Sequence, residues 1–281
     1  MAQALRGLFP EGGPLPHEVN LPLLASAGAS EVIIRMLDVH NDSPPSVDVR
    51  DPLDDSTPLL LASQNGLSDT VQILIDAKAD VEAQNDRGVT ALMLAAAGGH
   101  VDVVSLLLDA NANLNRQSTR SQRTALMEAA RKGRGAVAQM LLNAGAQADL
   151  QDADGKTALV LAISANEQRV VRVLLEAKAD MEVKCRQGKT AIMHAVGESK
   201  EIARLLLQAK PNLEAQNPDG ETALILAMKN LSYDTVQLLL EAGASTHTQT
   251  GDGTTAESLA HQKGYEVMLI VLSNAKKVQK R

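Results

Sequence analysis

The feature that most constrains the fold of this chain is a segment that recurs seven times at a nearly constant spacing. The first copy opens with Thr-Pro-Leu at 57–59, and the later copies open, at intervals of 33, 34, 33, 33, 32 and 33 residues, with Thr90, Thr124, Thr157, Thr190, Thr222 and Thr255. An apolar triplet such as Leu-Leu-Leu at 106–108 follows 15 or 16 residues after each threonine. Two patterns that stay in phase over seven copies indicate a repeat protein.

Each copy is predicted to contain two helices and two turns. A polar turn, which we call the finger, precedes each threonine and usually carries a glycine, such as Gly88. Glycine reaches positive φ without strain, and threonine is a favoured N-cap for the first helix that follows. A second turn, at Gly66, Gly99, Gly133 or Asn166, leads into a second helix that contains the apolar triplet. Because every copy has this pattern, we expect an all-helical chain.

The period, the Thr-Pro/Ala-Leu-x-x-Ala opening and the Leu-Leu-Leu triplet resemble the ankyrin repeat over about 52–281. The resemblance implies an all-α ankyrin-repeat solenoid of helix-turn-helix units with short β-hairpin-like turns, comprising about seven repeats plus a degenerate N-terminal cap. The predicted boundaries are an N-terminal tail at 1–18, a degenerate capping repeat at 19–51, repeats 1 to 6 at 52–84, 85–118, 119–151, 152–184, 185–216 and 217–249, and a C-terminal capping repeat at 250–281.

Two departures from the family pattern predict local differences. The family usually has glycine after the second helix, but only Gly145 and Gly243 keep it, and the other copies have Lys78, Asn111, Lys178 and Lys210. A lysine in the left-handed conformation that this position requires costs about 1 kcal/mol. The finger before Thr124 has an extra residue and no glycine, so we expect it to have a different shape.

We expect no enzyme, catalytic residue, metal or cofactor. Two Gly-Lys-Thr triplets, at 155–157 and 188–190, resemble the end of a phosphate-binding loop, but the glycine that such a loop needs five residues earlier is absent. The six histidines lack metal-ligand spacing, and we interpret His194 as a half-buried packing residue. The single cysteine, Cys185, makes no intramolecular disulfide and stands in a finger, a position compatible with exposure.

The composition also constrains the compartment. A lone thiol fits a reducing, intracellular environment, and the first 13 residues lack the apolar core of a signal peptide. No apolar run approaches the roughly 20 residues that a membrane span needs. The basic tail at 276–281 is interpreted first as a helix end that complements the helix dipole. We therefore predict a cytoplasmic protein that does not enter a membrane, with the nucleus as the alternative.

The charged positions on the fingers and first helices suggest where a partner binds. The family resemblance implies that these elements line the concave side, and the chain has a net charge of -7. A basic stripe nevertheless crosses the middle repeats through Arg120, Arg123, Arg131, Lys132, Lys156, Arg186 and Lys189. One interpretation is a solvated face, and the other is a groove for an acidic segment of a partner protein. We expect Arg123 and Arg131 to face solvent. The lack of aromatic residues in the fingers argues against nucleic acid.

The repeats fill nearly the whole chain, which favours a monomeric scaffold or adaptor that docks another protein. Two alternatives remain open: an inhibitor or regulatory subunit of an enzyme or transcription factor, and a pathogen effector that acts in a host cell. The resemblance also marks Asn115 as a position at which ankyrin proteins can be hydroxylated.

Overall fold

The computed structural model describes residues 20–37 and 46–279, and the predicted tail at 1–18 lies outside these ranges. Within the described ranges the chain forms sixteen helices and no strand, which confirms the all-α prediction. None of the helices in the described part of the chain combines the length and the apolar character needed to cross a membrane.

The chain divides into two compact units, Met1–Gln147 and Ala148–Arg281, so the boundary falls inside the predicted repeat 3. The first unit contains four helix pairs: α1 (Leu21–Ala27) with α2 (Ser30–Leu37), α3 (Pro58–Gln64) with α4 (Ser68–Asp76), α5 (Ala91–Gly98) with α6 (Val101–Asp109), and α7 (Ala125–Arg131) with α8 (Gly135–Asn143). Odd-numbered helices are the first helices of the repeats, and even-numbered helices are the second.

The second unit also contains four helix pairs. They are α9 (Ala158–Ser164) with α10 (Gln168–Glu176), α11 (Ala191–Ala195) with α12 (Lys200–Gln208), α13 (Ala223–Lys229) with α14 (Tyr233–Glu241), and α15 (Ala256–Lys263) with α16 (Glu266–Gln279). Within each unit, first helices pack on neighbouring first helices and second helices pack on neighbouring second helices.

The finger threonines begin the first helices as predicted. Six of the seven accept a hydrogen bond from the backbone N–H three residues later, namely Thr57, Thr90, Thr124, Thr157, Thr222 and Thr255. Thr190 has the same extended backbone, but its hydroxyl makes no such bond, and its helix α11 has only five residues. The first helix of repeat 5 therefore differs from the other first helices of the repeats.

The core of each unit is built from the small apolar side chains of these helix pairs. In the first unit, Leu107 and Leu141 of the second helices are completely buried, and in the second unit the equivalent Leu174 and Leu206 are too. Burying a leucine side chain contributes on the order of 1.5–3 kcal/mol. Since each helix pair covers only its neighbours, stability depends on this local burial along the chain.

The turns after the second helices of repeats 1 to 6 have the left-handed conformation that the sequence predicted. Lys78, Asn111, Lys178 and Lys210 have φ values of 67°, 61°, 61° and 57°. The finger before Thr124 also differs as expected, because Gln122, at φ 52°, donates its N–H to the carbonyl of Ser118, four residues back. In the glycine fingers this bond spans three residues. The first finger has the longer form too, with Asp55 at φ 60°, a similarity that the sequence analysis missed.

Candidate functional site

The fingers and first helices carry all seven residues that the sequence assigned to partner binding. One position on each first helix, four residues after the finger threonine, determines how those charges are used. This position holds leucine in five repeats, at Leu61, Leu94, Leu161, Leu226 and Leu259, but Glu128 in repeat 3 and His194 in repeat 5. Because glutamate carries a negative charge and histidine does not, this position offers a counter-charge to nearby cations in repeat 3 but not in repeat 5.

In the first unit, Glu128 pairs with two arginines of repeat 3. Its Oε2 atom lies 2.7 Å from Nη2 of Arg131, and its Oε1 atom lies 3.7 Å from Nη1 of Arg123. The exposed fractions of the side chains are 17% for Glu128, 25% for Arg123 and 36% for Arg131. The expectation that both arginines face solvent was therefore wrong. They are half-buried around one carboxylate, and reversing their charges would bring three carboxylates together.

The other two candidates of the first unit are more accessible. Arg120, at the finger tip, is 72% exposed, and its Nη2 atom lies 3.9 Å from Oδ2 of Asp86. Lys132 is exposed at the C-cap of α7 and makes no ion pair with the described residues. Of the four candidates in this unit, Arg120 and Lys132 are thus the two that a ligand reaches most directly.

In the second unit, Lys156, Arg186 and Lys189 lie on two fingers that are joined through their backbones. The N–H of Arg186 donates to the carbonyl of Asp154 at 3.0 Å. A Cβ atom at Gly155 would lie 2.7 Å from the backbone nitrogen of Arg186, so the fingers approach this closely only because residue 155 is glycine. No carboxylate of the described residues forms an ion pair with any of the three cations.

His194 lies beside these cations. Its Nε2 atom is 3.3 Å from Sγ of Cys185, which is buried at 6% exposure, so the suggestion that this cysteine is exposed was wrong. Burial, together with the weaker effect of the positive charges on Lys156 and Lys189, lowers the pKa of His194 to about 4. His194 is half-buried, as expected, and neutral at physiological pH, so it supplies no counter-charge to the lysines.

A third charged cluster, in repeat 6, was missed by the sequence analysis. The ammonium of Lys229 and the amide of Asn217 donate to Glu221. Burial raises the pKa of Glu221, but these two hydrogen bonds outweigh it and hold the pKa below its usual value. The pair borders a cleft of about 630 Å³ beside the last finger. Its signal in the sequence is a charged residue one position before and another seven positions after a finger threonine, as in repeat 3. Opposite charges at these positions pair with each other in repeat 6, whereas Arg123 and Arg131 share Glu128 in repeat 3.

Asn115 lies in the turn that follows α6. Its Oδ1 atom accepts a hydrogen bond from the backbone N–H of Gln147, at 2.9 Å, within the first unit. Its side chain thus helps to join the turns of neighbouring repeats.

Family models match most of the chain. A model described as ankyrin repeats in three copies matches residues 21–118, 59–152 and 126–217, and a single ankyrin repeat matches 219–251. The chain belongs to the ankyrin-repeat family. Ankyrin repeats generally mediate protein–protein interactions, and the fold is typically a non-enzymatic interaction module. This confirms the family that the sequence pattern indicated.

A solved structure shows the same fold. The crystal structure of the human ASB11 ankyrin repeat domain covers 81% of this ankyrin chain and 99% of its own length, with a TM-score of 0.69 and 23% sequence identity. At this identity the likeness supports the ankyrin fold alone. A search of curated proteins finds no match to the chain.

Proposed function

We propose that this ankyrin protein is an intracellular scaffold or adaptor that binds an acidic segment of another protein through its fingers and first helices, the concave side in this family. One observation carries the proposal: Lys156, Arg186 and Lys189 lie on two joined fingers and have no paired carboxylate in the described chain. In a protein of net charge -7, such a local basic surface steers and selects acidic ligands.

In this proposal the basic residues of the first unit contribute to binding by different amounts. Arg120 and Lys132 are accessible and are themselves able to attract an acidic segment. Arg123 and Arg131 already share Glu128, so their contribution is smaller than their number suggests. The proposal therefore assigns the main anchor to the second unit. It includes a monomeric protein of the cytoplasm, with the nucleus as the alternative.

A pair of matched double variants tests the proposal. Lys156→Glu with Lys189→Glu removes the anchor, whereas Arg172→Glu with Arg204→Glu makes the same change in net charge on exposed positions of the second helices α10 and α12. Fluorescence anisotropy with a labelled oligoglutamate peptide should show at least tenfold weaker binding for the first variant only, or about 1.4 kcal/mol. The difference should shrink as salt rises, because ions screen the wild-type contact.

The same two variants should be compared for binding of partners recovered by cross-linking to the wild-type protein in cells. Partners lost from the first variant but kept by the second would match the peptide result. Equal binding by both variants, to peptide and to partners, would show that the basic residues are a solvated face and would contradict the proposal.

A further inference from the structure

The cation cluster of repeats 4 and 5 differs from the other two charged clusters because no described carboxylate lies within ion-pair distance of it. Arg123 and Arg131 share Glu128, and Lys229 holds Glu221. Lys156, Arg186 and Lys189 have no such partner within ion-pair distance among the described residues. Their neighbour on α11 is the neutral His194. Lys156 and Lys189 thus act on His194 from adjacent fingers, and Arg186 lies on one of these fingers, so an anion bound here gains from all three charges.

The carboxylate of Glu221, on the next finger, interacts electrostatically with Lys189 of this cluster. The charge of Lys189 is one of the causes that lower the pKa of Glu221, but weaker than its hydrogen bonds from Lys229 and Asn217. Because Glu221 is itself buried and already bonded to two partners, it does not fold over to neutralise Lys189. The cluster thus keeps its net positive charge.

The positions of the three cations are set by the backbone. Lys156 and Lys189 each directly precede a finger threonine, so they are equivalent positions in adjacent repeats. The hydrogen bond from Arg186 to Asp154 and the close approach at Gly155 fix one finger against the other. His194 and the buried Cys185 pack beside them. The backbone that carries the three side chains is therefore already in place when a ligand binds, which lowers the entropy lost on binding.

We propose that Lys156, Arg186 and Lys189 form a binding site for a phosphorylated side chain on the partner segment. This inference rests on the proposed function and adds the chemical class of the ligand. A phosphate monoester carries about -1.5 to -2 charges and three acceptor oxygens, so it compensates three cations better than one carboxylate does. The guanidinium of Arg186 offers two parallel donors, and the lysines act as point charges.

Binding of a phosphoryl group also changes the protonation of His194. The dianion offsets the effect of Lys156 and Lys189, so the pKa of His194 rises above its value of about 4 in the free protein, while burial continues to lower it. The thiol of Cys185 lies 3.3 Å from Nε2 of the imidazole ring. His194 therefore reports occupancy of the site independently of affinity.

Three peptides of one acidic sequence, with serine, glutamate or phosphoserine at the central position, test the proposal by isothermal titration calorimetry. The phosphoserine peptide should bind at least tenfold more tightly than the glutamate peptide. Lys156→Gln with Lys189→Gln should abolish this preference, and Arg172→Gln with Arg204→Gln should retain it. In NMR titrations, saturating phosphopeptide should raise the pKa of His194 by about one unit, which a bystander histidine would not show.

The outcomes separate the two proposals. Equal affinity for the phosphoserine and glutamate peptides, with both sensitive to the lysine substitutions, would overturn the phosphate site and leave the acidic-segment function intact. Failure of all three peptides to bind, with no change at His194, would contradict both. If inorganic phosphate shifts the pKa of His194 as far as the phosphopeptide while the peptide binds no more tightly than phosphate, the ligand is a small anion and the assignment to a partner segment is wrong.

Discussion

Repeats 3 and 5 place similar basic residues beside first helices, and yet the two regions have opposite electrostatic character. Arg123 and Lys189 occupy the same position, one residue before the finger threonine. In repeat 3 the polar residue on the first helix is Glu128, which pairs with the arginines, and in repeat 5 it is His194, which is neutral. The same position on the first helix therefore supplies a counter-charge for nearby cations in repeat 3 and supplies none in repeat 5.

The two regions also differ in whether their charged side chains form ion pairs within the fold. The arginines and Glu128 of repeat 3 have their attraction satisfied within the fold, although partial exposure limits each pair to about 0–1 kcal/mol. Lys156 and Lys189 instead disfavour protonation of His194, and neither forms an ion pair with a described carboxylate. The cations of repeats 4 and 5 therefore form no ion pair with the described carboxylates, whereas those of repeat 3 already share Glu128.

The largest expected effect tests whether the helix pairs beneath the two regions are equivalent. Leu141→Ala in repeat 3 and Leu206→Ala in repeat 5 each remove a completely buried side chain at the same place in the apolar triplet. Each should lower the free energy of unfolding by about 2–5 kcal/mol, measured by urea denaturation. Leu53→Ala, at a side chain that is almost wholly exposed, is the control and should change little. A much smaller loss at one leucine would show that the two helix pairs are packed differently.

A pH-dependent effect is expected in repeat 5 and not in repeat 3. The pKa of His194 is about 4 in the folded protein and 6.5 in an unperturbed chain, so the unfolded state takes up a proton first as the pH falls. The stability that neutral His194 confers is complete above about pH 6.5 and is lost as the pH falls towards 4.

His194→Leu, which installs the residue found in five other repeats, should remove this loss. Relative to the variant, the wild type should lose about 1–2 kcal/mol between pH 7 and pH 4, after allowance for the partial exposure of the ring. Glu128→Leu in repeat 3 serves as the matched variant. The difference in stability between it and the wild type should not grow as the pH falls from 6.5 to 5. Parallel pH profiles for wild type and His194→Leu would contradict the depressed pKa.

Removing the acid of repeat 3 should make that region resemble repeats 4 and 5. Glu128→Leu leaves Arg123 and Arg131 without their shared carboxylate, so an oligoglutamate peptide should bind several-fold to tenfold more tightly, or up to about 1.4 kcal/mol. Leu161→Ala, at the equivalent position of repeat 4, alters the same part of a first helix without changing charge. A gain in affinity from both variants would show that side-chain size, and not charge, controls binding.

The repeat pattern predicted most of the fold, because the threonine caps, turn residues and apolar triplets act locally and recur. The sequence even indicated the left-handed lysines and the unusual finger before Thr124. The electrostatics of the site were less predictable. Glu128 lies five residues after Arg123 and three before Arg131, and their convergence depends on how a finger folds back over its first helix. Burial of Cys185 against His194 likewise joins residues nine positions apart across a finger.

The smallest expected effect concerns the turns that follow the second helices, before the next finger. Gly145 follows α8 and Lys178 follows α10, and both donate the same backbone hydrogen bond to the carbonyl three residues back. Lys178 has φ 61°, which is strained for a residue with a Cβ atom, and Gly145 has φ 93° with open space where a Cβ atom would lie. Lys178→Gly relieves strain worth about 1–2 kcal/mol but gives the unfolded chain about 0.4–1 kcal/mol of extra entropy, so a net gain of up to about 1 kcal/mol is expected. Gly145→Lys should lower the free energy of unfolding by a similar amount. The added Cβ atom meets no neighbouring atom, so only its left-handed backbone conformation is unfavourable. Denaturation curves of the two variants should therefore move in opposite directions, and a loss of stability in both would mean that the lysine side chain makes a compensating contact that glycine cannot replace.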